Sequence, residues 1–332
     1  MKYKIYFVEK TIPFNASDFD KPIISGSEKT LINISNELAK NDKFDIKVFN
    51  LTNNNQKICN VEWKNINQIY NDNSPDILIS MSDAKLLSLF NCKKKFLWSH
   101  SVQSLEKFIR KGQFFPFIKN RPTVLLEGNY HYETRSFITS FFGKKIIPIA
   151  VDYEFINEKI DINFIPDRNA IFTTRSDRNL NFLIDCWNVI FSKVKHSKLY
   201  INPPFQLSEN HKNLNIKVRD KGTKLNLIKD LIKCKLMLNP GHKGEVFCLA
   251  AEEAKELCIP IVTMGYGSLK ERVEHGVTGY IAKNKNEFIN YSVKILTNND
   301  EYLNLKNNLI KKRNLRTYMN VAKDLLDIFN GY

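Results

Sequence analysis

Arg175 and Arg178 stand three positions apart where a strand-like run, Asn169–Thr174, gives way to a helix that Arg175–Leu180 opens and that runs to about Ile190. A helix start carries free N–H donors and a partial positive charge, so it attracts anions and gives cations no local reward. Two arginines beside those amides suit a diphosphate, which guanidinium groups can grip in pairs of hydrogen bonds. A salt bridge to local acids is the competing reading, and Ser176 or Asp177 is the expected helix cap. His100 directly follows the apolar run Phe96–Trp98. Its imidazole can bond a hydroxyl or an anion, or can simply brace a loop. Tyr130, His131 and Arg135 form another polar group, suited to lining a cleft, and the Glu133 carboxylate among them could orient a hydroxyl. The densest arrangement lies between Leu236 and Ala282. It holds two glutamates eight positions apart, Glu245 and Glu253, and the loop Met264-Gly265-Tyr266-Gly267-Ser268.

These residues need elements to hold them. Leu236–Leu238 reads as a strand closed by Asn239-Pro240-Gly241. Glu245 to Leu257 has helical spacing and good helix formers. Ile259–Thr263 is a second strand, Leu269–His275 a second helix, and Gly279–Ala282 a third strand. Strand, helix, strand, helix, strand describes a parallel α/β unit, in which ligands bind beyond the carboxyl ends of the strands. The first half starts in a similar way. Strand 3–8 leads to a loop with Ser25-Gly26-Ser27, an amphipathic helix over 28–41 capped by Ser27, and strand 44–49. This resembles the opening of a Rossmann-like unit, but without a full GxGxxG it lends dinucleotide binding little support. Further strands are expected at 76–80, 96–98, 123–127, 146–151 and 198–201, with an apolar helix over 137–142 and a last helix over 316–329. Pro166-Asp167 interrupts the pattern and places a domain boundary there, giving domains 1–164 and 165–332, the last helix packing back on the first domain.

The chain has 332 residues, 43% of them apolar and 26% charged, enough for two hydrophobic cores. Fifty Lys and Arg against 35 Asp and Glu give a net charge of +15. Such a balance fits nucleic acid, an anionic membrane surface or phosphorylated ligands, or a general bias towards Lys, Asn and Ile. The stretch 93–121 interleaves Lys93, Lys94, Lys95, Lys107, Arg110, Lys111, Lys119 and Arg121 with six aromatics. It suits anionic lipid, a phosphorylated acceptor or single-stranded nucleic acid, or a solvated helix face over core aromatics. The segment Met1–Glu9 is too short and polar for a signal peptide, and no run approaches a spanning helix. The six cysteines lack CxxC or CxxH spacing and suit buried free thiols. A cytoplasmic protein, peripheral at most on the inner membrane's cytoplasmic face, is the expectation.

The segment Pro240–Ala282 resembles the donor-binding signature of retaining glycosyltransferases of the GT-B fold, glycosyltransferase group 1 (family 4). The family sets a glutamate, seven residues and a second glutamate across the helix after a strand, matched by Glu245 and Glu253. Its following strand, glycine loop and closing glycines are matched by Ile259–Thr263, Tyr266-Gly267 and Glu271–Tyr280. More weakly, Ser25-Gly26-Ser27-Glu28, His100, and Arg175 with Arg178 resemble its first loop, its acceptor-domain histidine and its diphosphate cations. Val246 and Cys248 stand where the family has glycines, Arg178 where it has lysine, and Asn179 where it has glycine.

The resemblance implies an α/β, GT-B-like fold, two Rossmann-like domains facing a central cleft. It implies a retaining transfer of sugar from a UDP- or GDP-sugar to a glycan or lipid-linked acceptor hydroxyl, in envelope glycan or polysaccharide synthesis, with no metal and no tightly bound cofactor. Glu245, His100, Arg175 and Arg178 would serve the reaction. Glu253 would hold the ribose diol, a carboxylate being able to accept two hydrogen bonds. The amides of Val246, Phe247 and Cys248, together with Gly26, Gly265 and Gly267, would approach the donor. The alternatives are a noncatalytic sugar-nucleotide-binding partner or, with no nucleic-acid-binding signature in sight, a basic nucleic-acid-binding protein.

Overall fold

The computed structural model describes residues 2–21, 23–220 and 222–330. The chain forms two compact units, residues up to 150 with 317 onward, and residues 151–316.

The first unit is built on an eight-stranded sheet, β1 (Tyr3–Val8), β2 (Phe44–Asn50), β3 (Gln56–Ile58), β4 (Val61–Asn65), β5 (Ile77–Met81), β6 (Lys94–Trp98), β7 (Thr123–Leu126) and β8 (Lys144–Ile146). The order is β3-β4-β2-β1-β5-β6-β7-β8, with only β3 antiparallel to its neighbour. The central strands read as continuous apolar runs because both faces are covered: all five residues of β5 and all four of β7 are buried. Each large side chain so buried contributes about 1.5–3 kcal/mol against exposure. Between strands run α1 (Gly26–Ala39), α2 (Leu105–Arg110), α3 (Phe114–Asn120) and α4 (Asn129–Thr134). Helix α1 starts two residues before the expected position. The Glu28 carboxylate turns back to accept the Ser25 amide at 3.1 Å, which makes Ser25 the cap and sets Gly26 in the first turn.

The second unit opens with α5 (Tyr153–Asn157). It holds six parallel strands, β9 (Ala170–Phe172), β10 (Leu199–Ile201), β11 (Ile216–Val218), β12 (Leu236–Leu238), β13 (Ile261–Thr263) and β14 (Gly279–Ile281). Their order is β11-β10-β9-β12-β13-β14. Numbered within the unit this is 3-2-1-4-5-6, the doubly wound Rossmann order, whose direction of winding reverses between its first and fourth strands, β9 and β12. Helices α6 (Leu180–Lys193), α7 (Glu209–Asn213), α8 (Lys224–Ile232), α9 (Leu249–Glu256), α10 (Leu269–Arg272), α11 (Lys285–Thr297) and α12 (Asn299–Lys311) complete it. The last helix, α13 (Tyr318–Asn330), belongs to the first unit. The Lys94 ammonium donates to the Phe329 carbonyl at 2.9 Å, a cation meeting a helix C-terminus.

Three expected elements differ. The strand expected over 146–151 lies earlier, as β8 at Lys144–Ile146, and residues 147–151 are loop. The apolar stretch 137–142 forms only a short 3-10 turn, Phe137–Ser140, and leaves Phe137 and Phe141 exposed. The helix expected from Glu245 begins at Leu249, because Cys248 takes a left-handed φ of 63° that a helix cannot carry. Residues 245–248 are therefore loop.

Candidate functional site

The reversal of strand order puts two loops side by side at the carboxyl edge of the second unit's sheet, one after β9 and one after β12. The first carries Arg175 and Arg178, the second His242 and Glu245. The Arg178 guanidinium donates to His242 Nδ1 at 2.6 Å, and the Gly244 amide donates to the same nitrogen at 2.9 Å. A nitrogen that accepts twice carries no proton, so His242 is neutral here with its N–H on Nε2. A Cβ on Gly244 would stand 3.1 Å from the Arg178 guanidinium, so a bare backbone lets the arginine lie over the loop. The Asn179 side-chain Nδ2 donates to the Gly241 carbonyl from a left-handed position with φ 61°, further joining the loops.

Glu245 is fixed through its backbone. Its amide donates to the His242 carbonyl at 3.0 Å, and its carbonyl accepts the Ser268 amide at 2.9 Å. Its carboxylate is largely buried, and Oε2 has no hydrogen-bond partner. Burial raises its pKa, opposed by a hydrogen bond from Cys248 and by the charges of Arg178 and Arg175. A buried carboxylate oxygen left without a partner is poised to take a hydrogen bond from a ligand hydroxyl.

The loop after β13 locks against this one. The Met264 amide donates to Pro240, Gly241 pairs with Tyr266, and Gly267 has a φ of 69°. A Cβ on Gly267 would fall on the His242 carbonyl and lie 2.8 Å from that of Glu245, so only glycine lets these backbones meet. Gly265, with φ 70°, donates to Thr263 Oγ1 at 3.0 Å.

The residues in the positions of the family's glycines turn inward. Val246, Phe247 and Cys248 are all buried, Cys248 within the core under α9. Asn239 Nδ2 approaches the Cys248 sulfur at 3.5 Å. Phe247 lies under the Arg272 guanidinium, 4.1 Å from its ring, and its carbonyl takes the Arg272 Nε–H at 2.8 Å.

Helix α9 carries three glutamates with different surroundings. Glu252 pairs with Arg272 at 2.8 Å, and Glu256 accepts the backbone amides of Asn314 and Leu315. Both are buried, whereas Glu253 is half-buried. Arg175 differs from Arg178 as well: it is 75% exposed and paired to Asp177 at 2.7 Å, the local ion pair that was its competing reading. The expected caps Ser176 and Asp177 give way to Asn179 at the start of α6. The second unit thus gathers Glu245, Arg178, residues 246–248, Gly265 and Gly267 on three loops, with Arg175 at the rim and Glu253 on the adjoining helix.

His100 and Gly26 belong to the first unit. His100 follows β6, stacks on Trp98 and shares Nδ1 with Glu127 Oε1 at 2.5 Å. His131, from the polar group 130–135, is fully buried and accepts the Glu127 amide on Nδ1 at 3.3 Å, while Nε2 meets the Ser101 carbonyl at 3.1 Å. The 93–121 stretch divides in two. Lys95 is held by the Leu87 carbonyl and Asn120, Lys107 by Ser101, and Phe96, Trp98, Phe108 and Phe117 are core. Among the described residues no cluster of His, Cys, Asp and Glu could hold a metal ion, and no helix is long and apolar enough to cross a membrane.

Residues 205–312 match the family described as glycosyl transferases group 1. No curated protein matches the chain. Among solved structures, HepE from Anabaena, in complex with UDP-glucose, superposes with a TM-score of 0.73 at 13% identity, covering 99% of this chain and 100% of its own. Sucrose-phosphate synthase from Thermosynechococcus elongatus gives 0.73 at 11% identity, covering 99% of both chains. A glycosyltransferase from Rickettsia africae gives 0.67 at 13% identity, covering 99% of this chain and 98% of its own.

Proposed function

We propose that this chain, a glycosyltransferase by its group 1 domain and its GT-B fold, moves a sugar from a nucleotide diphosphate to an acceptor hydroxyl with retained configuration. The observation that carries this reading is the interlocked pair of loops after β9 and β12, where Arg178, His242 and the unmatched Glu245 carboxylate meet at a topological switch point.

Each group has a task. Arg178, with Arg175 at the rim, neutralises the diphosphate and gains strength as charge develops on the leaving group. His242 Nε2–H adds a donor beside it. Glu245 orients the sugar through its free oxygen, and Glu253 accepts the two ribose hydroxyls. The amides of 246–248 and of the Gly265–Ser268 loop approach the sugar and phosphates. In the transfer the bond from C1 to the diphosphate oxygen breaks, and the acceptor oxygen bonds C1 on the same face. The acceptor's proton passes to an oxygen of the leaving phosphate, so no protein nucleophile is required. The family match and the basic, partly apolar first unit favour an envelope-glycan or polysaccharide acceptor met at the cytoplasmic face of a membrane.

Calorimetric titration with UDP, GDP, ADP and their glucose conjugates tests the donor site. The UDP-glucose complex of HepE makes UDP the expected preference. Glu253→Ala should weaken that binding about tenfold, the scale of a charge-assisted hydrogen bond. An unchanged dissociation constant would remove Glu253 from the site, and no binding of any nucleotide by folded protein would overturn the reading.

A further inference from the structure

Three polar side chains at the carboxyl edge of the first unit's sheet form a graded set. The innermost is His131, fully buried, whose two ring nitrogens tie the Glu127 amide after β7 to the Ser101 carbonyl after β6. Nδ1 accepts from an amide and Nε2 donates to a carbonyl, so its ring is neutral. Burial lowers its pKa to about 4, which keeps it neutral at ordinary pH. Glu127 comes next, with its side chain only 4% exposed and Oε1 2.5 Å from His100 Nδ1. His100 is outermost, 12% exposed, with its amide donating to Ser82 Oγ at 3.1 Å and its ring stacked on Trp98. Its Nε2 has no hydrogen-bond partner.

A carboxylate at this distance takes the proton of whichever nitrogen faces it. The proton of a neutral His100 therefore sits on Nδ1, and Nε2 presents a lone pair. A bare lone pair accepts from a hydroxyl and repels phosphate or carboxylate oxygen. The sequence left open whether His100 meets a hydroxyl or an anion, and the neighbouring carboxylate decides between them.

We infer that Glu127 is a positioning residue that holds His100 in the Nδ1–H tautomer, so that Nε2 serves as a hydrogen-bond acceptor for a hydroxyl of the carbohydrate substrate. The carbohydrate rests on the function proposed above; the tautomer does not. His131 secures the backbone of Glu127 and completes the set.

The test is a long-range nitrogen–proton correlation spectrum of histidine-labelled protein at neutral pH, without substrate, the His100 signals being identified by their loss in His100→Gln. The expected wild-type pattern is Nδ1 protonated and Nε2 bare. Glu127→Leu, close in size but without an acceptor, should move His100 to a mixture rich in Nε2–H and lower kcat/KM for transfer at least about tenfold. Glu127→Gln keeps an acceptor oxygen and should keep the Nδ1–H pattern with a loss under about threefold. A wild-type His100 protonated on Nε2 overturns the proposal. So does an unchanged tautomer in Glu127→Leu, or, should that variant fail to fold, in Glu127→Ala. The expected tautomers in a protein that transfers no sugar would uphold the role of Glu127 and overturn the glycosyl-transfer reading instead.

Discussion

His131 carries a measurable consequence of its burial. Desolvation takes its pKa from 6.5 down to about 4, against the opposing charge of Glu127. Between those values the unfolded chain binds a proton that the folded chain refuses, so stability rises with pH across that window and is lost as pH falls from about 6.5 towards 4. The full shift corresponds to a loss on the order of 3 kcal/mol. Urea midpoints from pH 7 to pH 4 should fall more steeply for the wild type than for His131→Gln, and parallel curves would contradict the assignment. Other residues show what a linear reading reaches. Glu245 and Arg178 stood out because their types and spacing are local signals. His242 and Glu127 did not, because their roles depend on partners 64 and 27 positions away. Only a strand-turn-strand pattern placing both loops on one sheet edge would have flagged them. Glu252 and Glu253 are adjacent and chemically alike, and only the packing of Arg272 shows which one is structural.

Among the elements, the loops after β12 and β13 act as one unit, and Gly267 is where they touch. Its left-handed φ costs an L-residue about 1–2 kcal/mol, and a methyl group would also press on the His242 and Glu245 carbonyls. Gly267→Ala should destabilise the protein by at least about 2 kcal/mol and displace Glu245, so nucleotide-sugar affinity falls along with stability. Thermal unfolding beside calorimetry on one preparation checks this; a variant with wild-type stability and affinity would mean the loops are not locked. The central strands were legible because parallel strands covered on both faces must be apolar throughout. The edge strands β3 and β11, and β4 beside β3, were missed because they are short and their residues are mixed. In β4 the inward Val61 and Trp63 alternate with half-buried neighbours, a period-two signal that five residues state only faintly. The start of α9 was misplaced for a different reason: Cys248 has no sequence mark of a left-handed residue, yet its φ of 63° ends the loop and starts the helix after it.

At the scale of the molecule, the charge of +15 is unevenly available. Lys94 and Lys95 are tied to carbonyls, and Lys235 is buried against the Leu296 carbonyl and Asn299, its pKa lowered to about 8 by burial. Removing the 93–95 cluster would therefore loosen α13 and the sheet more than it would alter a surface. The free basic character of the first unit lies further on, at Arg110, Lys111 and Lys119, all exposed. Around them stand apolar side chains that the core does not cover: Ile109 on α2, Phe115 on α3, and Phe137 and Phe141 on the neighbouring turn. Phe115 is 81% exposed, an unusual setting for an aromatic ring. Cations among exposed aromatics match an anionic bilayer, where each cation near the surface adds about 1 kcal/mol and the rings enter the headgroup boundary. Sedimentation with phosphatidylglycerol-rich vesicles should show binding that weakens as salt rises past about 0.1 M, where the screening length is about 10 Å. Neutral vesicles should bind far less. Replacing Ile109 and Phe115 with Ser and Lys111 and Lys119 with Gln should cut the partition at least tenfold (roughly 1 kcal/mol per cation, before the apolar loss) while leaving UDP affinity intact, because the substituted residues lie in the first unit and the donor loops in the second. Equal vesicle binding by the variant would assign the exposed rings to another partner, and equal binding to neutral and anionic vesicles would show that charge does not direct the contact.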